Sequence, residues 1–251
     1  MKSIVCVKRV PDTEARIRIA GDGTSIDPAG VKFVLNPYDE FAIEAALKQK
    51  EGAGAGEVVV MTVGTGDSAE TLRTALAMGA DRAVLLKTAD APEGLAAARA
   101  LAEAIRGQEF DLLLFGMKAI DDDLQAVGPM VAELLDVPVA TVVTEFSVEG
   151  GKVVAQREIE GGTEIVELSL PCALSITKGA YEPRYASLKG IMAAKKKPLE
   201  EKEAQVGAGG GSLRVEALTY PAERQAGRII GEGPDAVPEL LRVLREEAKV
   251  L

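Results

Sequence analysis

The acidic run Asp121–Asp123 is the group of side chains in this sequence best placed to do chemistry or to lie beside a ligand. It follows an unbroken apolar run, Leu112–Phe115, which is typical of a strand buried on both faces. Gly116 ends that run, and apolar residues return at helical spacing from Leu124 to Leu134. The pattern predicts a strand, a loop and a helix N-terminus, which is where ligands bind in an open α/β sheet.

The acids leave several interpretations open. They could simply cap the helix and complement its dipole. Free N–H groups of a first helical turn suit a phosphate, but carboxylates repel one. A phosphate would therefore lie on backbone N–H groups around Gln125–Val127, with the carboxylates turned away. Asp121–Asp123 could also hold Mg²⁺ in an enzyme that hydrolyses or transfers an adenine nucleotide, although the sequence contains no P-loop motif.

Composition limits the class of protein. The chain has 251 residues, of which 47% are hydrophobic, enough for one large core or a core with a small extension. The net charge of −10 argues against a nucleic-acid partner. The sequence has no histidine, which removes the commonest general base and most zinc and haem ligation. Cys6 and Cys172 lie inside apolar runs and are expected to be small core residues.

Targeting signals and membrane spans are not predicted. No run of about 20 apolar residues occurs, so the protein is not expected to be membrane-embedded. The N-terminus enters a strand at once, without the pattern of a signal or transit peptide. We therefore expect a cytoplasmic protein of a prokaryote.

The first half of the chain alternates strands with helices. The predicted strands are 3–7, 58–63, 83–86 and 112–115. A turn at 35–39, with Asp39 as a helix cap, leads into the first helix, and 15–34 form a short hairpin or an extended excursion. Such alternation predicts an α/β fold with a doubly wound, mainly parallel sheet of the Rossmann-like, adenine-nucleotide-binding kind.

The second half follows a different pattern. Four strand-like segments separated by turn signals predict an antiparallel meander added to the parallel sheet; they are 141–148, 152–159, 163–169 and 173–176. Gly207–Gly211 is predicted to be a flexible linker, Leu213–Thr219 a strand, and the apolar positions from Val237 to Ala248 an amphipathic helix. We therefore divide the chain into a nucleotide-binding domain, residues 1–198, and a linker with a C-terminal arm, residues 199–251.

A second possible ligand loop follows the second predicted strand. Gly64–Ala69 has the Gly-x-Gly-x-x-Ala pattern of a dinucleotide-binding loop, and Asp90 lies roughly where a ribose-binding acid would follow. A tight strand-to-helix turn with no ligand explains the same pattern.

Residues 182–197 combine apolar side chains with a basic cluster in an acidic protein. They could form a short helix followed by a solvated lysine run. Alternatively, they form a docking loop in which Leu188, Ile191 and Met192 fill a partner's pocket and lysines steer an acidic surface.

Several motifs, in order and covering nearly the whole chain, resemble those of the β subunits of electron transfer flavoproteins. The matching segments are Val7–Val10, Leu35–Tyr38, Thr74–Asp81, Ala119–Asp123, Arg157–Gly162, Glu182–Tyr185 and Ile191–Met192 with the lysine run behind it. The resemblance implies a carrier subunit without chemistry of its own. It implies a heterodimer with an α subunit that holds most of the contacts to a redox-active FAD. It also implies that the heterodimer accepts electrons from acyl-CoA dehydrogenases and related dehydrogenases and transfers them to a membrane quinone reductase.

The resemblance further implies a structural AMP in this subunit. The residues it assigns to AMP are Cys6, Leu35, Asn36, Pro37, Tyr38, Thr62, Val63, Gly64, Phe115, Gly116, Met117, Lys118, Ala119, Ile120, Asp121, Asp122, Asp123, Leu124, Gln125, Ala126 and Val127. The residues it assigns to partner docking are Glu182, Tyr185, Leu188, Ile191, Met192 and Lys195. In an electron-bifurcating branch of the family, FAD replaces AMP and a glycine stands inside the Ile-Asp-Asp-Asp motif. Asp122 fills that position here, which favours AMP.

Overall fold

A computed structural model describes residues 1–205, 213, 215–223 and 226–251. Its strands are β1 (Lys2–Cys6), β2 (Arg9–Pro11), β3 (Phe33–Leu35), β4 (Glu57–Gly64), β5 (Arg82–Lys87), β6 (Leu112–Gly116), β7 (Val139–Glu149), β8 (Lys152–Ile159), β9 (Gly162–Ser169), β10 (Cys172–Ile176) and β11 (Leu199–Glu203). Its helices are α1 (Pro37–Ala53), α2 (Ser68–Met78), α3 (Gly94–Ile105), α4 (Val127–Leu135), α5 (Leu188–Ala194) and α6 (Val237–Arg242).

The main sheet has nine strands in the order β11-β5-β4-β1-β6-β10-β7-β8-β9. Neighbouring strands are parallel from β11 to β7, and β7, β8 and β9 pair antiparallel. The chain leaves β1 toward β4 and β5 and then returns to β6 on the other side of β1. This reversal creates a topological switch point at the carboxyl ends of β1 and β6.

Helices cover both faces of the parallel part of the sheet. One core cluster joins α1 and α2 to one face, with Ile43, Leu72 and Leu114 fully buried. A second cluster joins α3 and α4 to the other face, with Leu113 and Val131 fully buried. The prediction of a doubly wound, mainly parallel α/β sheet with an added antiparallel segment is therefore confirmed. Among the residues described, no helix is both long and apolar enough to cross a membrane.

The predicted meander was wrong in its fourth strand. β7, β8 and β9 are antiparallel as expected, but β10 lies between β6 and β7 and is parallel to both. All five residues of β10 are buried. A fully buried apolar strand shows no alternation, so the sequence pattern does not reveal which neighbour it pairs with.

The C-terminal part also differs from the prediction. β11 pairs with β5, so the main sheet continues five residues beyond 198. No strand forms at Leu213 or at 215–219, where Leu213 and Val215 are exposed. The predicted linker Gly207–Gly211 lies outside the described residues. The predicted C-terminal helix is present as α6, preceded by a 3₁₀ turn at Pro234–Ala236 and continued by a π-helical turn at Val243–Glu247.

Candidate functional site

A cavity of about 590 Å³ lies at the switch point, a size typical of small-molecule sites. The loops that follow β1, β4 and β6 line it, together with the N-termini of α3 and α4. Most residues that the family resemblance assigns to AMP line this cavity; they are Cys6, Asn36, Val63, Gly64, Phe115, Gly116, Met117, Lys118, Ala119, Asp121, Asp122, Leu124, Gln125, Ala126 and Val127.

Six assigned residues lie next to lining residues in the chain and are not part of the lining. They are Leu35, Pro37, Tyr38, Thr62, Ile120 and Asp123. Leu35 and Thr62 are buried in the protein core.

Asn36 orders the loop after β6. Its side chain is buried, its Nδ2 donates to the carbonyl of Lys118 at 2.9 Å, and its Oδ1 accepts the N–H of Ile120 at 3.3 Å. One amide thus satisfies two backbone groups that are 82 and 84 residues away along the chain. This contact fixes the path of residues 118–120 along the cavity wall.

The prediction that Asp39 caps α1 is wrong. Asp39 lies in the first turn of the helix, where its buried carboxylate accepts the N–H of Lys8 at 2.7 Å and that of Gly116 at 3.1 Å. The prediction failed because the donors are in the loop after β1 and at the end of β6. Burial raises the pKa of Asp39 to about 7, although hydrogen bonds from Asn36, Lys8 and Gly116 act in the opposite direction.

The three acids are paired with lysines. Lys8 Nζ lies 2.8 Å from both Asp121 Oδ1 and Asp122 Oδ2, and Lys118 Nζ lies 2.8 Å from Asp123 Oδ1. Burial lowers the pKa of Lys8, but the hydrogen bonds and charges of Asp121 and Asp122 outweigh it and raise the pKa. These ion pairs offset most of the negative charge that would repel an anion.

The backbone before α4 has the geometry of an anion-binding nest. Gln125 has a left-handed φ of 55° and Ala126 is right-handed, a pair of conformations that turns successive N–H groups toward one point. Within the described residues, the N–H groups of Gln125, Ala126 and Val127 donate no hydrogen bond. Val127 begins the helix, so its dipole adds positive potential at the same place.

The loop after β4 contributes to the same cavity. Gly64, Thr65 and Ser68 line it, whereas the exposed Asp90 does not. The Gly-x-Gly-x-x-Ala loop therefore belongs to the site, and its proposed acidic partner does not. α2 begins at Ser68, which is buried.

Sequence reasoning missed several lining residues. They include Lys8, Arg9, Phe33, Asp39, Gly94 and Ser175. The Arg9 guanidinium lies 3.8 Å from the centre of the Phe33 ring, a cation–π contact at the cavity wall. The position of Lys8 and Arg9 within three residues of the end of β1 was the signal, because ligands gather at the carboxyl ends of parallel strands.

Residues 182–197 form a separate surface, and none of them lines the cavity. Leu188 is 83% exposed and Met192 is 71% exposed, while Ile191 and Tyr185 are also exposed. Lys189, Lys195 and Lys196 of the same segment are exposed, and Glu182 is exposed as well. The region presents apolar side chains within a basic patch. We call residues 182–197 the docking segment, after the role that the sequence analysis predicts for them.

No metal site is evident in the part of the chain that the structure describes, where no group of three His, Cys, Asp or Glu residues is arranged to hold an ion. The carboxylates of Asp121, Asp122 and Asp123 are engaged by ammonium groups instead. Cys6 and Cys172 are buried and unpaired, and burial raises the pKa of Cys172 to about 12. Both thiols are core residues, as expected.

Comparison with known proteins identifies the family. A family model described as "Electron transfer flavoprotein domain" matches residues 24–206. The chain is 42% identical over 253 residues to the electron transfer flavoprotein subunit beta of Bradyrhizobium diazoefficiens, with all of both chains covered. It is 40% identical over 260 residues to the subunit beta of Bacillus subtilis, again covering both chains, and 37% identical over 254 residues to that of Sus scrofa, covering 100% of this chain and 99% of the other. The chain belongs to the family of electron transfer flavoprotein β subunits.

Proposed function

We propose that this β subunit holds AMP in the switch-point cavity. The observation that carries the proposal is the nest at Gln125–Val127, whose N–H groups are unpaired within the described structure and point to one place. The phosphate would accept from those groups. The apolar side chains of Val63, Leu101 and Phe115 line the cavity and suit the faces of a purine base.

The position of Asp122 favours AMP over FAD as the ligand. Its Oδ2 pairs with Lys8 and its Oδ1 accepts the N–H of Leu124 at 3.1 Å, so the side chain is held at the cavity wall. A glycine at this position would leave room for a larger nucleotide. We therefore propose AMP as the ligand of this subunit, with FAD as the alternative; identification of the nucleotide released on denaturation distinguishes the two.

We further propose a heterodimer with an α subunit that holds most of the contacts to FAD, the group that supplies the redox chemistry when bound. The C-terminal arm supports this assembly. Ile229, Val237, Leu240 and Leu241 are exposed apolar side chains in the arm, which follows the nucleotide-binding domain of residues 1–198. Such side chains are suited to burial against another subunit. This β subunit would act as part of an electron carrier rather than as an enzyme in its own right.

The docking segment is proposed to receive electron-donating partners. Exposed Leu188 and Met192 suit an apolar pocket, and Lys189, Lys195 and Lys196 suit an acidic rim around it. Acyl-CoA and related dehydrogenases are the proposed donors, and a membrane quinone reductase is the proposed acceptor.

The function can be tested by reconstitution with the α subunit. The proposal predicts that acyl-CoA and its dehydrogenase reduce the flavin of the heterodimer rapidly and that they reduce FAD-loaded α subunit alone far more slowly. Bleaching of the flavin absorbance under anaerobic conditions measures both rates. Equal rates with and without this chain would contradict the proposed carrier role.

A further inference from the structure

The guanidinium group of Arg184 fixes the position of the chain just before helix α5. Arg184 lies four residues before Leu188, the first residue of α5. Its Nε and Nη2 donate to the two carboxylate oxygens of Glu44 at 2.7 and 2.9 Å. Its Nη1 and Nη2 donate to those of Glu51 at 2.6 and 3.1 Å. One side chain thus makes two bidentate ion pairs, the strongest geometry available to arginine.

Both carboxylates belong to α1, a 17-residue helix packed against the main sheet. Glu44 is 3% exposed, and a carboxylate is rarely buried unless it is paired. The backbone N–H of Arg184 also donates to Glu44 Oε2 at 3.3 Å. Side chain and main chain of Arg184 are therefore both attached to a rigid part of the fold.

The far end of α5 is also attached. Arg73 of α2 donates to the carbonyls of Ala194 and Lys197 at 2.7 and 2.8 Å. Lys197 in turn donates to the carbonyls of Leu76 and Ala80 at 3.0 and 2.5 Å. Between these ends, Gly190 lies so close to the carbonyl of Ala77 that a Cβ there would collide with it. α5 is held against α2 while its outer face remains exposed.

A short helix of seven residues has little stability of its own, so its order depends on such attachments. A mobile docking segment would lose conformational entropy on binding, which weakens affinity. We infer that Arg184 is a positioning residue for partner docking, because its clamp on Glu44 and Glu51 presents Leu188 and Met192 in one arrangement. The inference rests on the docking role proposed above and adds a residue that need not touch the partner.

The test uses the heterodimer, with its FAD and nucleotide bound, as electron acceptor of an acyl-CoA dehydrogenase. Arg184→Gln should raise the KM for the heterodimer by about three- to tenfold, the equivalent of ordering one or two side chains, with kcat unchanged. Hydrogen exchange over residues 185–194 should become faster. Arg184→Lys can pair with one carboxylate and should give a smaller increase in KM. Arg106→Gln is the matched control, because Arg106 lies at the C-terminal end of α3, on the other face of the sheet. It should change neither the KM nor the hydrogen exchange of residues 185–194.

Two further variants keep the test decisive if Arg184→Gln is unstable. Glu51→Gln leaves the buried Glu44 pair in place, and Glu44→Gln combined with Arg184→Gln removes the buried charge altogether. Both should raise KM and speed the exchange of residues 185–194.

The outcomes separate the inference from the docking proposal. If Leu188→Ala raises KM and the Arg184 variants do not, the positioning role is wrong and docking stands. If neither substitution changes KM, the docking surface is wrong and the inference falls with it. A raised KM with unchanged exchange over 185–194 would also overturn the inference, because Arg184 would then act by direct contact.

Discussion

Oδ1 of Asp39 accepts the backbone N–H of Gly116 at 3.1 Å, and a Cβ at position 116 would collide with that same oxygen. The first turn of α1 and the end of β6 therefore meet at a distance that only glycine allows. Because Gly116 lines the cavity, this contact sets the spacing of two of its walls.

Substitution of Gly116 should damage both the fold and the site. Gly116→Ala places a methyl group against Asp39 and the backbone of Tyr38, so we expect the free energy of unfolding to fall by about 1–3 kcal/mol, the usual cost of overpacking. Urea denaturation measures the change, and the nucleotide content of the purified variant should fall with it. Gly66→Ala is the control, since its Cβ would meet only Lys87 Cε at 3.7 Å. Equal stabilities of the two variants would contradict this account.

Asp39 should make stability depend on pH. Its pKa is raised from 3.8 to about 7, so between these values the folded protein binds a proton that the unfolded chain does not. The contribution of Asp39 to the free energy of unfolding is therefore greatest at low pH. It is lost as the pH rises toward 7, by up to about 1.4 kcal/mol per pH unit.

Asp39→Asn removes that titration. Unfolding by urea at several pH values between 4.5 and 8 should show a less negative slope of stability against pH in the variant than in the wild-type protein. Asp235→Asn, in the exposed C-terminal arm, serves as the control and should keep the wild-type slope. Identical slopes for wild type and Asp39→Asn would show that Asp39 does not titrate in this range.

Lys8 should govern the affinity for the phosphate. Lys8→Met leaves Asp121 and Asp122 without their counter-charge, so AMP affinity should fall by about tenfold, or about 1.4 kcal/mol. Adenosine has no phosphate, and its affinity should stay unchanged. Calorimetric titration of the nucleotide-free protein measures both ligands.

A rescue variant tests the electrostatic cause. Adding Asp121→Asn and Asp122→Asn to Lys8→Met should restore most of the AMP affinity, whereas Lys152→Met on β8 should have no effect. Equal losses for AMP and adenosine would mean that Lys8 acts through the shape of the cavity instead.

Leu188 should govern docking without affecting the nucleotides. Leu188→Ala removes the most exposed large apolar side chain of α5, so electron transfer from a dehydrogenase should slow while AMP and FAD contents stay the same. Stopped-flow reduction and nucleotide extraction measure the two properties. Ile17→Ala truncates an exposed apolar residue outside the docking segment and is the control. Loss of flavin from Leu188→Ala would assign the segment to the flavin site instead.

The sequence predicted those parts of the fold that have a strong local pattern. The apolar runs of β1, β4, β5 and β6 identified the central strands, and their carboxyl ends located the cavity. β11 was missed because Leu199–Glu203 contains one apolar residue and becomes a strand through pairing with β5. Local pattern carries no information about such an edge strand.

The ends of the apolar strands predicted where the cavity lies, but they did not predict its electrostatics. The ion pair between Lys8 and Asp121 joins residues that are 113 positions apart in the chain. Asp39 similarly accepts hydrogen bonds from the N–H groups of Lys8 and Gly116, which are 31 and 77 residues away in the chain. Contacts between residues so far apart in the sequence depend on the folded sheet, which brings the ends of β1 and β6 together. Local sequence patterns do not reveal them.

The identity of the bound nucleotide tests the central claim most directly. The chain should be purified alone and with its α subunit, each sample denatured, and the released nucleotides identified by chromatography and mass spectrometry. The account predicts about one equivalent of AMP from the chain alone, with FAD appearing only in the heterodimer. FAD released from the chain alone would contradict the assignment of AMP to the cavity, and the absence of any nucleotide from both samples would contradict the site itself.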